Sequence, residues 1–270
     1  MKRTIRHISN KLTKTRALRR SKALHKYIPE TRRMNLDVFN KMLHRYSMVY
    51  LKPCCGSLGQ GVIRMGTINS RTGKIQYHSQ TGKHVHRYES YHKAYRAITR
   101  ETRGKPYLVQ KGIRLLVYKH RPFDVRVMVQ RNFKKSWEVT GVAGRLAHPH
   151  RIVTNGSQGG TIYPLEVLLK AYITKKKRHT LIKSIKKIAL MSVKQLNNIY
   201  PGIREYGVDI AIDQHLKLWI LEVNTRPDPC PFTKLNDKSM ISRIIRYAKM
   251  NGSIYNLKCT KAKSSGARSR

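Results

Sequence analysis

Asp124 in PFDVRVMV, Asp209 in GVDIAID and Glu222 in LWILEVN are carboxylates set inside apolar, strand-like runs of a chain that otherwise has few acids. Burying an unpaired carboxylate costs several kcal/mol, roughly, unless a cation compensates. Two readings follow: separate ion pairs with the abundant arginines, or one oxygen-rich site for a hard cation. The two-residue period of a strand puts Glu222 and Asn224 on one face. A hairpin turning at Gln214 and His215 would bring Asp209 alongside on the neighbouring strand. Two carboxylates and an amide oxygen are a donor set that suits Mg²⁺.

The stretch YLKPCCGSLGQGVIRM (50–65) offers a second kind of chemistry. Glycines let a backbone come close to a ligand, so amide N–H groups can face phosphate oxygens, and Lys52 on the incoming strand adds a point charge. GSLGQG matches only the first half of a Walker loop, because Val62 and Ile63 stand where Lys and Ser/Thr belong. A dinucleotide fingerprint fails as well, with Arg64 where a third glycine is needed. The residues alone are compatible with a structural hairpin or with a strand–loop–strand that covers phosphates.

Charge bounds the partners. The chain has 270 residues, 57 Lys or Arg against 13 Asp or Glu, and a formal net charge of +44. Such a chain attracts polyanions, which suits either a basic surface for solubility or a crowded anionic compartment, or a specific anionic partner such as nucleic acid or an acidic polypeptide. No apolar run approaches the ~18 residues of a membrane span. The basic N-terminus lacks the apolar core of a secretory signal. Four cysteines, Cys54, Cys55, Cys230 and Cys259, show no zinc spacing and no disulfide framework, so free thiols in a reducing cytoplasm are expected.

The elements that must position these groups are read from periodicity and punctuation. Residues 1–26, with ten Lys or Arg and no acid, read as an exposed basic helix or arm. Residues 28–46 read as a helix capped by Asn35, with Leu36, Phe39, Met42 and Leu43 on its apolar face. Strands are expected at 48–53 and 61–68 around the glycine loop, and again at KIQYHSQ. A helix over 90–104 stopped by Gly104 and a strand over 106–113 follow. FDVRVMVQ and WEVTGVAGRLA form a hairpin around RNFKKS. Leu181, Ile182, Ile185, Ile188, Ala189 and Leu196 define a helix over 178–200. A closing helix spans 236–252, and the tail after it reads as disordered. Hairpins separated by helices predict an α+β fold with mainly antiparallel sheets.

Taken in order, YLKPCCGSLGQGVIRM, YLVQKGI, FDVRVMV, TNGSQGG, GVDIAID and LEVNTRP resemble the motif series of the ATP-grasp fold, and IPETRRMN upstream is similar to the YheC/YheD endospore coat-associated family. The resemblance spans roughly residues 27–235. It implies two α+β subdomains clasping ATP, with no large N-terminal domain before them. It divides the chain into a basic arm (1–26), an ATP-grasp domain (27–252) with a hinge near 109–113, and a basic tail (253–270).

By that resemblance Lys52 would hold the α/β-phosphates, and Gly56, Ser57, Gly59 and Gly61 would cover the β/γ-phosphates. Gln110, Lys111 and Ile113 would meet adenine. Arg126 would face the γ-phosphate or acyl phosphate. Asp209, Glu222 and Asn224 would bind Mg²⁺, and Asn155 with Gly159–Gly160 would line the acceptor side. Gln158 stands where relatives carry arginine. The implied activity is an ATP- and Mg²⁺-dependent carboxylate–amine ligase working through an acyl phosphate on an amino acid or acidic peptide. The rival readings are a basic nucleic-acid-binding or spore structural protein on the same scaffold, and an ATP-grasp kinase. The expected location is cytoplasmic or spore-associated.

Overall fold

The computed structural model describes residues 7–56, 59–69, 74–149, 154, 159–257, 259 and 262–264. The chain opens with helices α1 (Lys11–Arg19) and α2 (Lys22–His25) and strand β1 (Thr31–Arg33). Helix α3 (Leu36–Tyr46) leads into β2 (Met48–Pro53), β3 (Ile63–Asn69), β4 (Ile75–Thr81) and β5 (His84–Tyr88). Helix α4 (Tyr91–Thr102) and strand β6 (Tyr107–Lys111) complete the first lobe. Its sheet runs β1-β6-β2-β3-β4-β5, every pairing antiparallel.

The second lobe begins with β7 (Val117–Tyr118), β8 (Arg121–Arg131), β9 (Trp137–Leu146) and β10 (Thr161–Tyr163). Helices α5 (Leu165–Leu169) and α6 (Lys175–Ile199) precede the hairpin β11 (Glu205–Ile212) and β12 (Leu218–Asn224). Helices α7 (Cys230–Thr233) and α8 (Ser239–Met250) and strand β13 (Lys263–Ser264) close the chain. This sheet runs β12-β11-β8-β9-β10-β13, with β7 also paired to β8. The expected α+β architecture with mainly antiparallel sheets is what the structure has.

Local chemistry explains most boundaries. Asn35 accepts the Val38 N–H and caps α3, while Ser90 caps α4 in the same way through Lys93. α4 ends on left-handed Arg103 and Gly104. Phe39, Met42 and Leu43 are buried against Val49, Leu51, Ile63, Met65 and Ile98, forming the core of the first lobe. Leu36 remains half exposed, because the apolar stripe of α3 is narrower than its sequence pattern suggested.

The two ends of the chain differ from expectation. The N-terminal segment is not an exposed arm: Ile8, Ala17, Leu18 and Leu24 are buried in the second lobe's core with Ile185, Ala189 and Leu196 of α6. Ala17 also accepts a hydrogen bond from the Gln195 amide. The polar faces of α1 and α2 hide this in the sequence, since their few apolar residues must be summed with those of α6 to make a core. In the tail, Ala262 is buried, and β13 pairs parallel with β10. The sulfurs of Cys230 and Cys259 are joined, so these two are not the free thiols expected, while Cys54 and Cys55 are free. Among the described residues no helix is long and apolar enough to cross a membrane.

Candidate functional site

A cleft is lined by α1, by β2 and β6 of the first sheet and by β12 of the second. Leu18, Ile28, Leu108 and Ile220 give the lining its apolar part, Lys11, Lys14, Lys52 and Glu222 its charges, and Gln110 a neutral amide. A cleft with an apolar part and a small convergent polar set is the usual form of a small-molecule site.

The hairpin β11–β12 does what its sequence promised. Asp209 pairs directly with Glu222 across the register, beside a β-bulge between Asp209 and Ile210. The Asn224 amide approaches Asp209 Oδ2 at 3.4 Å. The three residues expected to bind metal are therefore brought together on the hairpin. Among the described residues no cluster of three His, Cys, Asp or Glu forms. Mg²⁺ held jointly with substrate phosphates needs only one or two carboxylates, so the donor set fits that ion.

The carboxylates are not free, however. Asp209 takes Arg126 Nε at 2.6 Å and Arg145 Nη2 at 3.1 Å, and Asp124 takes Arg145 in a two-point bond at 2.8 and 2.6 Å. Asp124 and Arg145 are each only 2 % exposed. Burial alone would raise the Asp209 carboxyl, but Arg126 and Arg145 outweigh it and hold the group below the usual carboxylate range. Asp124 thus takes the ion-pair reading rather than the ligand one. Arg126, expected at the γ-phosphate, lies along Asp209 in this buried cluster.

Glu222 faces two lysines that the sequence reading passed over. Lys14 Nζ stands 3.5 Å and Lys11 Nζ 3.7 Å from its Oε1. Lys14 is 4 % exposed, and burial pushes its ammonium below the ordinary lysine range even with Glu222 pulling the other way. Lys11 also ties α1 to the glycine loop, its N–H donating to Cys54 O and its Nζ to Gly56 O at 2.6 Å. The only sequence signal for either residue was a lysine spacing of three on a short helix, indistinguishable from a solvated face.

Lys52 sits where expected, on β2 at the cleft, and donates to Gln110 Oε1 at 2.6 Å. Burial lowers its ammonium as well. Gln110, expected at adenine, is thus the partner of Lys52, and its amide donates to Thr31 Oγ1. Lys111 lies about equally far from the Tyr46 and Trp219 rings, at 5.0 and 4.9 Å. Ile113 packs with Ala211 and Trp219.

Gly56, Gly59 and Gly61 all have positive φ, at 120°, 70° and 68°. A Cβ on Gly61 would stand 2.8 Å from the Tyr107 hydroxyl and 3.1 Å from the Pro53 ring. The loop therefore needs its glycines for its own shape. Gly61→Ala is expected to lower the melting temperature by a few degrees; a melt unchanged within one degree would show that the loop absorbs the methyl group. Ser57 and Asn155, and Gln158 with them, lie outside the described residues. Gly159 does turn with positive φ beside His148.

The chain belongs to the YheC/D-like ATP-grasp family, whose model matches residues 4–250. It is 27 % identical over 213 residues to the endospore coat-associated protein YheD of Bacillus subtilis, covering 75 % of this chain and 44 % of that protein. It is 24 % identical over 223 residues to YheC of the same organism, covering 82 % and 61 %. The chain thus spans about half the length of the curated relatives it matches. Its fold resembles N5-carboxyaminoimidazole synthase from Aspergillus clavatus, solved with ADP and 5-aminoimidazole ribonucleotide, at TM-score 0.55 and 12 % identity over 96 % of this chain and 55 % of that one.

Proposed function

We propose that this chain is an ATP- and Mg²⁺-dependent carboxylate–amine ligase, with ATP lying in the cleft between the two sheets. The observation that supports this reading is Lys11 and Lys14 facing Glu222 in a cleft that Lys52 also lines, with Lys11 tied to the glycine loop, Asn224 farther along the strand of Glu222 and Asp209 opposite on the adjacent strand. Ammonium groups that outnumber their carboxylate partner, with Lys14 buried and Lys11 and Lys52 partly so, are a site prepared for an anion. The apolar side chains of Leu18, Leu108 and Ile220 would take the base near the proposed 109–113 hinge. The lysines and the loop amides would take the phosphates. Asp209, Glu222 and Asn224 would hold Mg²⁺, which when bound neutralises charge on the transferring phosphoryl group.

In the proposed reaction a substrate carboxylate attacks the γ-phosphorus and ADP leaves. An amine then attacks the acyl phosphate carbon, the amide forms, and inorganic phosphate departs. The chain's own work is positioning and charge compensation, in which Lys52 and Arg126 are the principal groups. The acceptor is an amino acid or acidic peptide, drawn by the basic surface. The test is ATP turnover with pooled amino acids and acidic peptides, with mass spectrometry of the products. Phosphate release with a new amide supports the reading. A stable phosphoester would make the protein a kinase, and no turnover with any pool would remove the ligase assignment.

Protonation offers a further check. Burial lowers both Lys14 and Lys52, and a bound polyphosphate would raise them again. Nucleotide binding in buffers just below the ordinary lysine range is therefore expected to take up protons. Titration calorimetry in buffers of different ionisation enthalpy measures the uptake, and a heat independent of buffer would place the phosphates away from these lysines.

A further inference from the structure

The face of the first sheet that lines the cleft carries more basic residues than the nucleotide reading uses. Val49, Leu51, Ile63 and Met65 pack into the core with α3 and α4, so Tyr50, Lys52, Arg64 and Gly66, which alternate with them, take the other face. Residues paired across strands share a face. Arg64 stands opposite Tyr50 and Gln80, Gly66 opposite His78, and His78 opposite Arg87. Lys52, Leu108 and Gln110 of this same face line the cleft. Lys52, Arg64, His78 and Arg87 thus run diagonally across β2, β3, β4 and β5, one basic residue to a strand. Among the described residues no carboxylate pairs with Arg64 or Arg87.

Two of these residues have polar atoms left over. Arg64 Nη2 donates to Gln80 Oε1 at 2.7 Å, but Arg64 Nε is buried with no hydrogen-bond partner. His78 Nδ1 is buried and unpartnered as well. The His78 ring lies against Gly66, where a Cβ would stand 2.4 Å from its Cε1. Burial, with Arg64 and Arg87 close by, keeps His78 below the ordinary histidine range. Buried polar atoms without partners cost stability and call for an explanation. The other arginines of this protein supply one. Arg126 and Arg145 each turn the Nε–Nη2 edge on a carboxylate, that of Asp209 and that of Asp124. Arg64 turns the same edge on a neutral amide oxygen, which satisfies half of it. The two parallel donors of that edge match the two oxygens of a carboxylate.

We propose that Arg64 and His78 form a subsite that anchors a carboxylate of the acid substrate, the one that is not phosphorylated. The inference rests on the ligase reading and deepens it, since the acid must then carry a second carboxylate. The order of strands agrees. Leu108 on β6 lies at the proposed base and Lys52 on β2 at the phosphates, with Arg64 and His78 on the next two strands outward. At about 4.8 Å per strand, those two lie roughly 5–10 Å beyond β2, a distance that suits the far end of a short di-acid. Arg64 is partly exposed, so a ligand reaches its edge by taking the place of the Gln80 oxygen. His78 adds a donor when Nδ1 carries the proton.

The test is titration calorimetry on the full chain, with Mg²⁺–ADP and glutarate as probes, each alone and glutarate also on the ADP-loaded protein. Glutarate should bind. Arg64→Met should weaken it at least about tenfold and leave the Kd for Mg²⁺–ADP within about twofold. His78→Leu should weaken glutarate about fivefold. Gln80→Glu gives Arg64 an internal carboxylate, so it should abolish glutarate binding without lowering the melting temperature, which separates loss of the subsite from loss of the fold. Arg96→Met, on the exposed side of α4, should change neither ligand. Absence of glutarate binding, or binding indifferent to Arg64→Met, would overturn the proposal. An equal loss of Mg²⁺–ADP in Arg64→Met would assign the arginine to the nucleotide phosphates instead. Inorganic phosphate that displaces glutarate at equal concentration would make this a phosphate site and not a carboxylate one. A chain that binds no Mg²⁺–ADP would remove the ligase reading, and glutarate titrated alone would still decide whether Arg64 and His78 hold a carboxylate.

Discussion

Glu222→Gln is expected to reduce Mg²⁺-dependent ATP turnover by at least about 10²-fold, on the scale of removing a group that stabilises transition-state charge. The substitution keeps the shape of the side chain and the β11–β12 register, so the fold should survive. It removes the charge that faces Asp209 across the hairpin and holds Lys11 and Lys14 in place. Lys14, already lowered by burial, can shed its proton when its counter-ion goes, which limits the stability loss. Steady-state turnover over a Mg²⁺ titration, alongside a thermal melt, separates the two effects. Turnover within a few-fold of wild type, with an unchanged Mg²⁺ dependence, would move the metal site elsewhere.

Arg145→Met should have the largest effect on stability. Arg145 is the sole ion-pair partner of Asp124 among the described residues and a second partner of Asp209, all three buried. Breaking a buried ion pair from one side costs about 3–5 kcal/mol, because a charge is left without compensation. For a chain of this size the melting temperature should fall by on the order of 10 °C. Replacing Asp124 and Arg145 together with leucine should recover part of the loss, since no isolated charge then remains at Asp124.

The pH dependence follows with a definite sign. The folded Asp209 carboxyl lies below its unfolded value, so its stabilisation is present above the ordinary aspartate range, near 3.9, and is lost as pH falls through the lower folded value. In Arg145→Met that folded value moves up, and acid unfolding should begin at a higher pH. Urea melts across an acid series measure the shift. A variant within about 1 kcal/mol of wild type, with the same acid limb, would mean that water or Arg126 already compensates the cluster.

The retained activity expected of the cysteine variants is a smaller test of the same cleft. Cys54 is buried beside the loop and Cys55 is exposed, with Ser9 as its near neighbour. Cys54→Ser combined with Cys55→Ala should keep most ATP turnover, and a covalent intermediate trapped on either sulfur would contradict that.

Much of the molecule was legible from local rules. FDVRVMVQ, WEVTGVAGRLA, GVDIAID and LKLWILEVN are short apolar runs rich in β-branched residues, and each became a strand of one mainly antiparallel sheet. Asn35 and Gly104 marked helix ends because capping is decided by a few adjacent residues. The pairing of Asp209 with Glu222 followed from a short turn, which leaves little choice of register. The three positive-φ glycines likewise required only that the chain reverse tightly between β2 and β3.

Other features depended on which distant surfaces met. β1 pairs with β6 across nearly eighty residues, and three residues carry too little periodicity to show it. β5 and β13 are short and polar for the same reason. Lys11 and Lys14 became cleft residues only because α1 packs on α6 and reaches the glycine loop. A lysine on a basic helix carries no mark of its burial. The choice between metal ligand and ion pair at Asp209 also lay beyond the sequence, since it turns on a few ångströms between β8, β9 and β11. Local spacing determined the strands, the caps, the glycine turn and the carboxylate hairpin. Tertiary packing decided which cations stand opposite those carboxylates, because the energy of a buried charge depends on the partner brought within hydrogen-bonding distance, and that partner can come from anywhere in the chain.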